Sequence, residues 1–264
     1  LARLERAEAL VLRSRDVGEA DREVVLLTRA GGKVVAQVRG ARKITSRLAG
    51  SLEPFATVEV LLYRGTRRAT VTGAAHAQPF RGLRADLGRF AGASVLAEAL
   101  DQLVPAADHT EGLFALAVGG LDLIATATDP DVALAYMLVK LLALLGYAPD
   151  WRTCAACGLA IDAGPFGLAV ELGGVVASNC AGRGRPLTPP ALRILALLGE
   201  GRPTAVANLS LTPAVRREVR AAVFDLVGQA GDRALRSIAF YETVRAGHDE
   251  AGVHGVRGPV GPNV

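Results

Sequence analysis

Three cysteines are the residues of this 264-residue chain whose spacing best suits metal chemistry. Cys154 and Cys157 form a C-x2-C pair followed by Gly158, and Cys180 lies farther along. Such a pair presents two thiolates to one tetrahedral Zn²⁺, and the glycine relaxes the tight turn between them. A structural site takes four protein ligands. A second C-x2-C would put the fourth at position 177, where this chain has Ala177. Three readings stand. The first is structural zinc on Cys154, Cys157 and Cys180, with Asp162, a histidine or water as fourth ligand. The second is a vestigial knuckle of reduced, packed cysteines. The third is a thioredoxin-like redox pair, which lacks its usual βαβ surroundings.

Basic residues offer a second kind of chemistry. Residues 31–47 contain Lys33, Arg39, Arg42, Lys43 and Arg47 and no acid. The first half alternates with period two, so Val34, Ala36 and Val38 share one face of a strand. Lys33, Val35, Gln37 and Arg39 take the other, which predicts two cations on a wet face leading into a basic turn. Fixed cations on a strand and its loop suit a polyanion that follows a groove. Arg216, Arg217 and Arg220 form a second cluster on a predicted helix, with Arg183 and Arg185 in a glycine-rich loop near Cys180. Solvated surface accounts for these five, and auxiliary phosphate contact is the sharper reading. Lys140 is the one charge in an otherwise apolar helix. It either snorkels to water or ends a groove for an acidic, hydrophobic peptide.

Catalytic patterns are missing. The four histidines stand in separate contexts, with no H-E-x-x-H and no G-x-S-x-G. Gly31-Gly32-Lys33 is not a phosphate-binding loop, because Leu27 replaces the earlier glycine and Val34 the hydroxyl residue. The expectation is a protein that is not an enzyme.

The elements that must position these residues divide by composition. Half the residues are hydrophobic and 21% are charged, which is globular. Residues 1–81 hold 15 Lys+Arg against 8 Asp+Glu, whereas the remainder holds 15 against 18. The basic surplus is thus confined to the first third, as in a polyanion-binding module joined to something else. No signal-peptide pattern opens the sequence, no apolar run suits a membrane helix, and an odd cysteine count suits a reducing cytoplasm.

Five short Val/Leu/Thr-rich runs (7–14, 22–28, 33–39, 56–64 and 67–75) predict strands, with a helical turn within 44–52. That order is an OB-fold barrel's, with an SH3-like barrel as the alternative. Helical patterns follow over 83–103, 113–127 and 131–145. Asp129-Pro130, Thr188-Pro189 and Thr212-Pro213 serve as cap-plus-proline starts. The predicted fold is α+β and multidomain: an N-terminal five-stranded OB-fold barrel over 1–80, then a helical bundle of 81–150 and 187–245. A zinc-finger-like cysteine insert spans 151–186, and the Gly/Pro-rich residues 246–264 predict a disordered tail.

The order of motifs resembles a known family. Arg15-Asp16-Val17-Gly18-Glu19-Ala20-Asp21-Arg22 leads into Gly32-Lys33 and Arg39-Gly40-Ala41-Arg42-Lys43. Leu52-Glu53-Pro54-Phe55, Leu62-Tyr63-Arg64 and Leu144-Leu145-Gly146-Tyr147-Ala148-Pro149 follow, with the cysteines and Leu235-Arg236-Ser237 beyond. Together they resemble the RecO family of bacterial recombination mediators, over almost the whole chain. The resemblance implies binding of single- and double-stranded DNA and annealing of complementary strands, including strands coated by single-strand-binding protein. It also implies work with RecR to load RecA, and places Lys140 at a basic position where the tail of single-strand-binding protein would dock. The family often carries two C-x2-C pairs, so Ala177 puts four-cysteine zinc in doubt. The alternative is a zinc-stabilised OB-fold scaffold that binds RNA or proteins. Only Phe55, Tyr63 and Phe80 are aromatic in residues 1–81, so phosphate contact rather than base stacking is expected to dominate.

Overall fold

The alternating residues of the first third close a five-stranded barrel. The computed structural model describes residues 3–42, 48, 50–65, 68–106, 112–162 and 164–254. Strands β1 (Arg3–Val17), β2 (Asp21–Thr28), β3 (Gly32–Val38), β4 (Ala56–Arg64) and β5 (Ala69–Pro79) close in the order β1-β2-β3-β5-β4. This is the OB arrangement. β1 extends beyond its predicted 7–14 because it serves two partners. Its first half pairs with β4 (Leu4 opposite Tyr63) and its second with β2 (Leu10 opposite Leu27). The predicted turn within 44–52 lies mostly outside the described residues.

Inside the barrel, Ala9, Val11, Val24, Leu26, Val34, Ala36, Val38, Val60 and Leu62 form one core. Leu10, Leu12, Val25 and Leu27 point outward and belong to the core of the helical domain. Strands buried on both faces read as unbroken apolar runs, and Ala9 to Leu12 and Val24 to Leu27 are such runs. They weld the barrel to the helices.

The helical domain begins with α1 (Arg81–Ala85) and α2 (Leu87–Leu103). The single helix expected over 83–103 is broken at Asp86, whose side chain accepts from Arg89 N and caps α2. Gly112, with φ +83°, leads into α3 (Leu113–Thr126). In α4 (Pro130–Leu144), capped by Asp129, 11 of 15 residues are buried, which makes it the bundle's centre. Gly120 lets α3 approach it, since a Cβ there would stand 2.7 Å from Met137 Cε. Helices α5 (Pro189–Glu200), α6 (Pro203–Val206), α7 (Pro213–Ala230) and α8 (Arg236–His254) complete the domain. α8 continues past position 246, where the sequence predicts a disordered tail to begin. Residues 255–264 lie outside the described ones.

Between α4 and α5 the cysteine-bearing insert contains a small antiparallel sheet. It consists of β6 (Phe166–Ala169), β7 (Gly174–Val176) and β8 (Arg185–Leu187), in the order β7-β6-β8. Trp151, Phe166, Leu168, Val175 and Leu187 fix it to the helical core.

Candidate nucleic-acid surface and cysteine cluster

The cysteine knuckle forms because its backbone is clamped at both ends. A Thr153–Ala160 bridge closes the loop, and Cys154 N donates to Leu159 O at 2.8 Å. Gly158, at φ +73°, donates back to Cys154 O at 2.8 Å. Ala155 N donates to Val175 O, tying the loop to β7, and Cys180 sits in the 3₁₀ turn after that strand. The three Sγ atoms lie within 4.8 Å of one another. Zinc–sulfur bonds of about 2.3 Å put thiolates about 3.8 Å apart, so the trio can hold a metal ion with little contraction.

Ala177 N donates to Cys154 Sγ at 3.3 Å, and this contact leads the effects that lower the Cys154 pKa to about 6. Burial opposes it, and the N–H groups of Ala156 and Cys157 assist. Burial pushes the Cys180 thiol upward, reinforced by Cys154. One thiolate is therefore present at neutral pH. Among the described residues no further His, Cys, Asp or Glu, Asp162 included, joins the cluster. Ala177 packs against Cys154 and Cys180 where a fourth cysteine would stand.

The basic residues of 31–47 separate into three groups. Lys33 is not on a wet face, contrary to the expectation. Its side chain is 12% exposed, and its Nζ donates to the Asp101 carbonyl and lies 3.7 Å from the Asp101 carboxylate, at the end of α2. Burial lowers its pKa, against the pull of Asp101. The strand's parity is as expected, with Val34, Ala36 and Val38 buried, but the helical domain covers the outer face at Lys33. Arg39 is exposed and has no ion-pair partner among the described residues. Arg42 donates to Gly18 O at 2.9 Å and lies 3.2 Å from Asp16, which also binds Arg22 at 3.0 Å. Lys43 and Arg47 lie outside the described residues.

The auxiliary arginines are mostly committed within the protein. Arg216 binds Asp129 at 2.8 Å, and Arg220 binds Asp131 at 3.6 Å and Glu242 at 3.0 Å. Arg245 also binds Asp131, and Tyr241 donates to the same carboxylate at 2.5 Å. This buried network joins α4, α7 and α8, and leaves Arg217 as the member of its cluster that faces solvent. Arg185 binds Asp225 at 2.5 Å. The side chain of Arg183 is outside the described set. Lys140 is tied down within the helical domain. Its Nζ donates to Gly199 O at 2.5 Å and stands 5.3 Å from the Tyr136 ring. A cation at the last turn of α5 complements that helix's negative end.

Sequence reasoning missed the cations across from β3. A groove of about 480 Å³ lies between β3 and β5, with Val35, Gln37, Arg64 and Arg68 on its walls. Arg64 is held by Glu5 at 2.6 Å, whereas Arg68 is exposed without an ion-pair partner among the described residues. The signal was the basic run Arg64-Gly65-Thr66-Arg67-Arg68 in the sequence. Arg39, in the turn after β3, and Arg68, just before β5, are thus two exposed cations of the OB barrel.

A closed OB-like barrel, a helical domain fused to its outer face and a three-cysteine cluster define the class of this protein. The model described as "Recombination protein O N terminal" matches residues 3–80, and "Recombination protein O C terminal" matches residues 84–238. The DNA repair protein RecO of Heliobacterium modesticaldum is 37% identical over 250 residues, covering 92% of this chain and 90% of its own. That of Roseiflexus sp. is 34% identical, covering 92% and 87%, and that of Nocardioides sp. 36%, covering 90% and 99%. The chain belongs to the RecO family of DNA repair and recombination proteins, a mediator family that is generally non-catalytic. Among the described residues no helix is long and apolar enough to cross a membrane.

Proposed function

We propose that this chain is a cytoplasmic recombination mediator that anneals complementary single strands of DNA. It acts also on strands coated by single-strand-binding protein and, with RecR, promotes loading of RecA. The observation that carries this reading, beyond the family, is that Arg39 and Arg68 of the barrel face solvent without carboxylate partners among the described residues. From their places in the sequence, we assign Arg42, Lys43 and Arg47 to the same basic surface. Lys33 is withdrawn from it, because Asp101 holds its charge. Phosphates tracked along this surface leave their bases turned outward to search for a complement. The aromatic side chains that would sequester bases are nearly missing from the barrel.

Zn²⁺ is the metal we propose for Cys154, Cys157 and Cys180, since a cluster of thiolates suits it. When bound, it supplies a structural cross-link between the knuckle and the turn after β7. Water is then the fourth ligand, because Ala177 brings no donor. The electrostatic reading is tested by titrating a labelled oligothymidylate with the protein over a range of salt. Four or five phosphate contacts give a log–log slope of about −3 for a single strand. A flat dependence removes the electrostatic reading.

A further inference from the structure

A further concavity lies away from the groove beside β3 and β5. A cleft of about 1010 Å³ opens where β1 meets α2 and the start of α8. That is at the top of the range of about 300–1,000 Å³ common for ligand sites.

Its floor carries an aromatic pair, Phe55 and Phe90, edge to face with centroids 5.3 Å apart. Phe90 is 37% exposed although it sits beside the main core. On the same wall the Ser14 Oγ is buried with no hydrogen-bond partner among the described residues. A buried hydroxyl left so is costly unless something meets it.

The charges of the cleft sort themselves by partner. Arg13 is bound to Asp101 at 3.0 Å and Arg15 to Glu23 at 2.8 Å. Glu98 is consumed by Ser237, which donates from its N at 2.7 Å and its Oγ at 2.5 Å. Arg233 and Arg236 remain, exposed and without side-chain partners among the described residues, against one free carboxylate, Asp232. An open ring, two spare guanidinium groups and an unmet hydroxyl suit a ligand that is aromatic and anionic in alternation. A polynucleotide strand is such a ligand.

We infer that this cleft is a second nucleic-acid subsite, which takes a short stretch of single strand with a base against Phe90 and phosphates on Arg233 and Arg236. The inference rests on the DNA-binding reading above. The barrel would hold a strand by its phosphates, whereas the cleft would anchor one point of it through a base.

The test uses the full chain with a fluorescein-labelled oligothymidylate, and a second oligonucleotide carrying 5-iodouracil for photocross-linking. Cross-links are expected on the peptide that contains Phe90. Phe90→Leu, which keeps apolar bulk but removes the ring, should weaken binding about 5- to 150-fold. The double variant R233A/R236A should make the salt slope shallower by about 1.4. Should Phe90→Leu prove unstable on melting, the arginine variant and the cross-link map still decide. The cleft is overturned, with the barrel reading intact, if both cleft variants bind as wild type, R39A/R68A is weakened, and cross-links stay on the barrel. Failure of the wild-type chain to bind the oligonucleotide overturns both readings.

Discussion

Ala177 stands where repetition of the Cys154–Cys157 spacing would place a fourth thiolate, and its N–H already points at Cys154 Sγ from 3.3 Å. The turn that follows is built like a knuckle, with Cys180 N donating to Ala177 O at 2.8 Å. Only the sulfur is missing. Ala177→Cys should therefore tighten metal binding, measured by competition with a chromophoric chelator, on the order of 100-fold if a four-ligand site's roughly 10–16 kcal/mol divides evenly among its ligands. Equal affinity in the two proteins would mean that the trio does not bind metal as described. Lys33 in β3 and Arg39 in the turn just after it make a second residue-scale contrast, expected on one face but with opposite fates. Lys33→Ala should lower stability in urea, because it removes the tie to Asp101, and leave the salt slope of DNA binding unchanged. Arg39→Ala should do the reverse. Period-two spacing made the faces of β3 legible, but not what covers each face. The partner of Lys33 is 68 residues away, beyond the reach of any local pattern.

Element positions follow from caps and from carboxylates that bridge helices. Asp129-Pro130 and Thr188-Pro189 were readable as helix starts because a capping oxygen and a fixed proline φ act locally. Both side chains accept the expected N–H groups. The break at Asp86 was hidden by the apolar spacing that continues across it. The docking of α8 on α2 was also hidden, since it depends on Glu98 meeting Ser237 from 139 residues away. Burial pushes the Glu98 carboxyl up, but the hydrogen bonds from Ser237, Arg236 N and Gln102 outweigh it and hold its pKa below that of an ordinary carboxylate. A depressed carboxylate contributes stability that is complete above its unfolded pKa and is lost as pH falls through the lower folded value. Glu98→Ala should destabilise the fold by about 1–2 kcal/mol at neutral pH. Glu98→Gln should cost less and make the acid limb of stability against pH shallower. An unchanged acid limb in that variant would show that α8 is held by other contacts, such as the Asp131–Arg245 pair.

At the scale of the whole molecule, two cores share one wall. The outer faces of β1 and β2 join the helical core, so the barrel cannot turn independently of the bundle. Its exposed Arg39 and Arg68 keep a fixed relation to the interdomain cleft. The charge asymmetry of the sequence located the basic module. It overestimated the free charge, because Lys33 and Arg42 meet carboxylates within the fold, as do Arg185, Arg216 and Arg220 outside that module. Pairing of this kind depends on which surfaces the topology brings together, and composition carries no such information.

The central claim is that the unpaired barrel arginines hold strands while leaving bases free to pair. Its most direct test is the rate at which two complementary oligonucleotides anneal with the wild-type chain or the R39A/R68A variant, at low and at raised salt. The account predicts faster annealing with wild type, a marked loss with the variant, and suppression of the wild-type effect by salt. Annealing that is not accelerated by the wild-type chain, or that proceeds equally with both proteins, would contradict it.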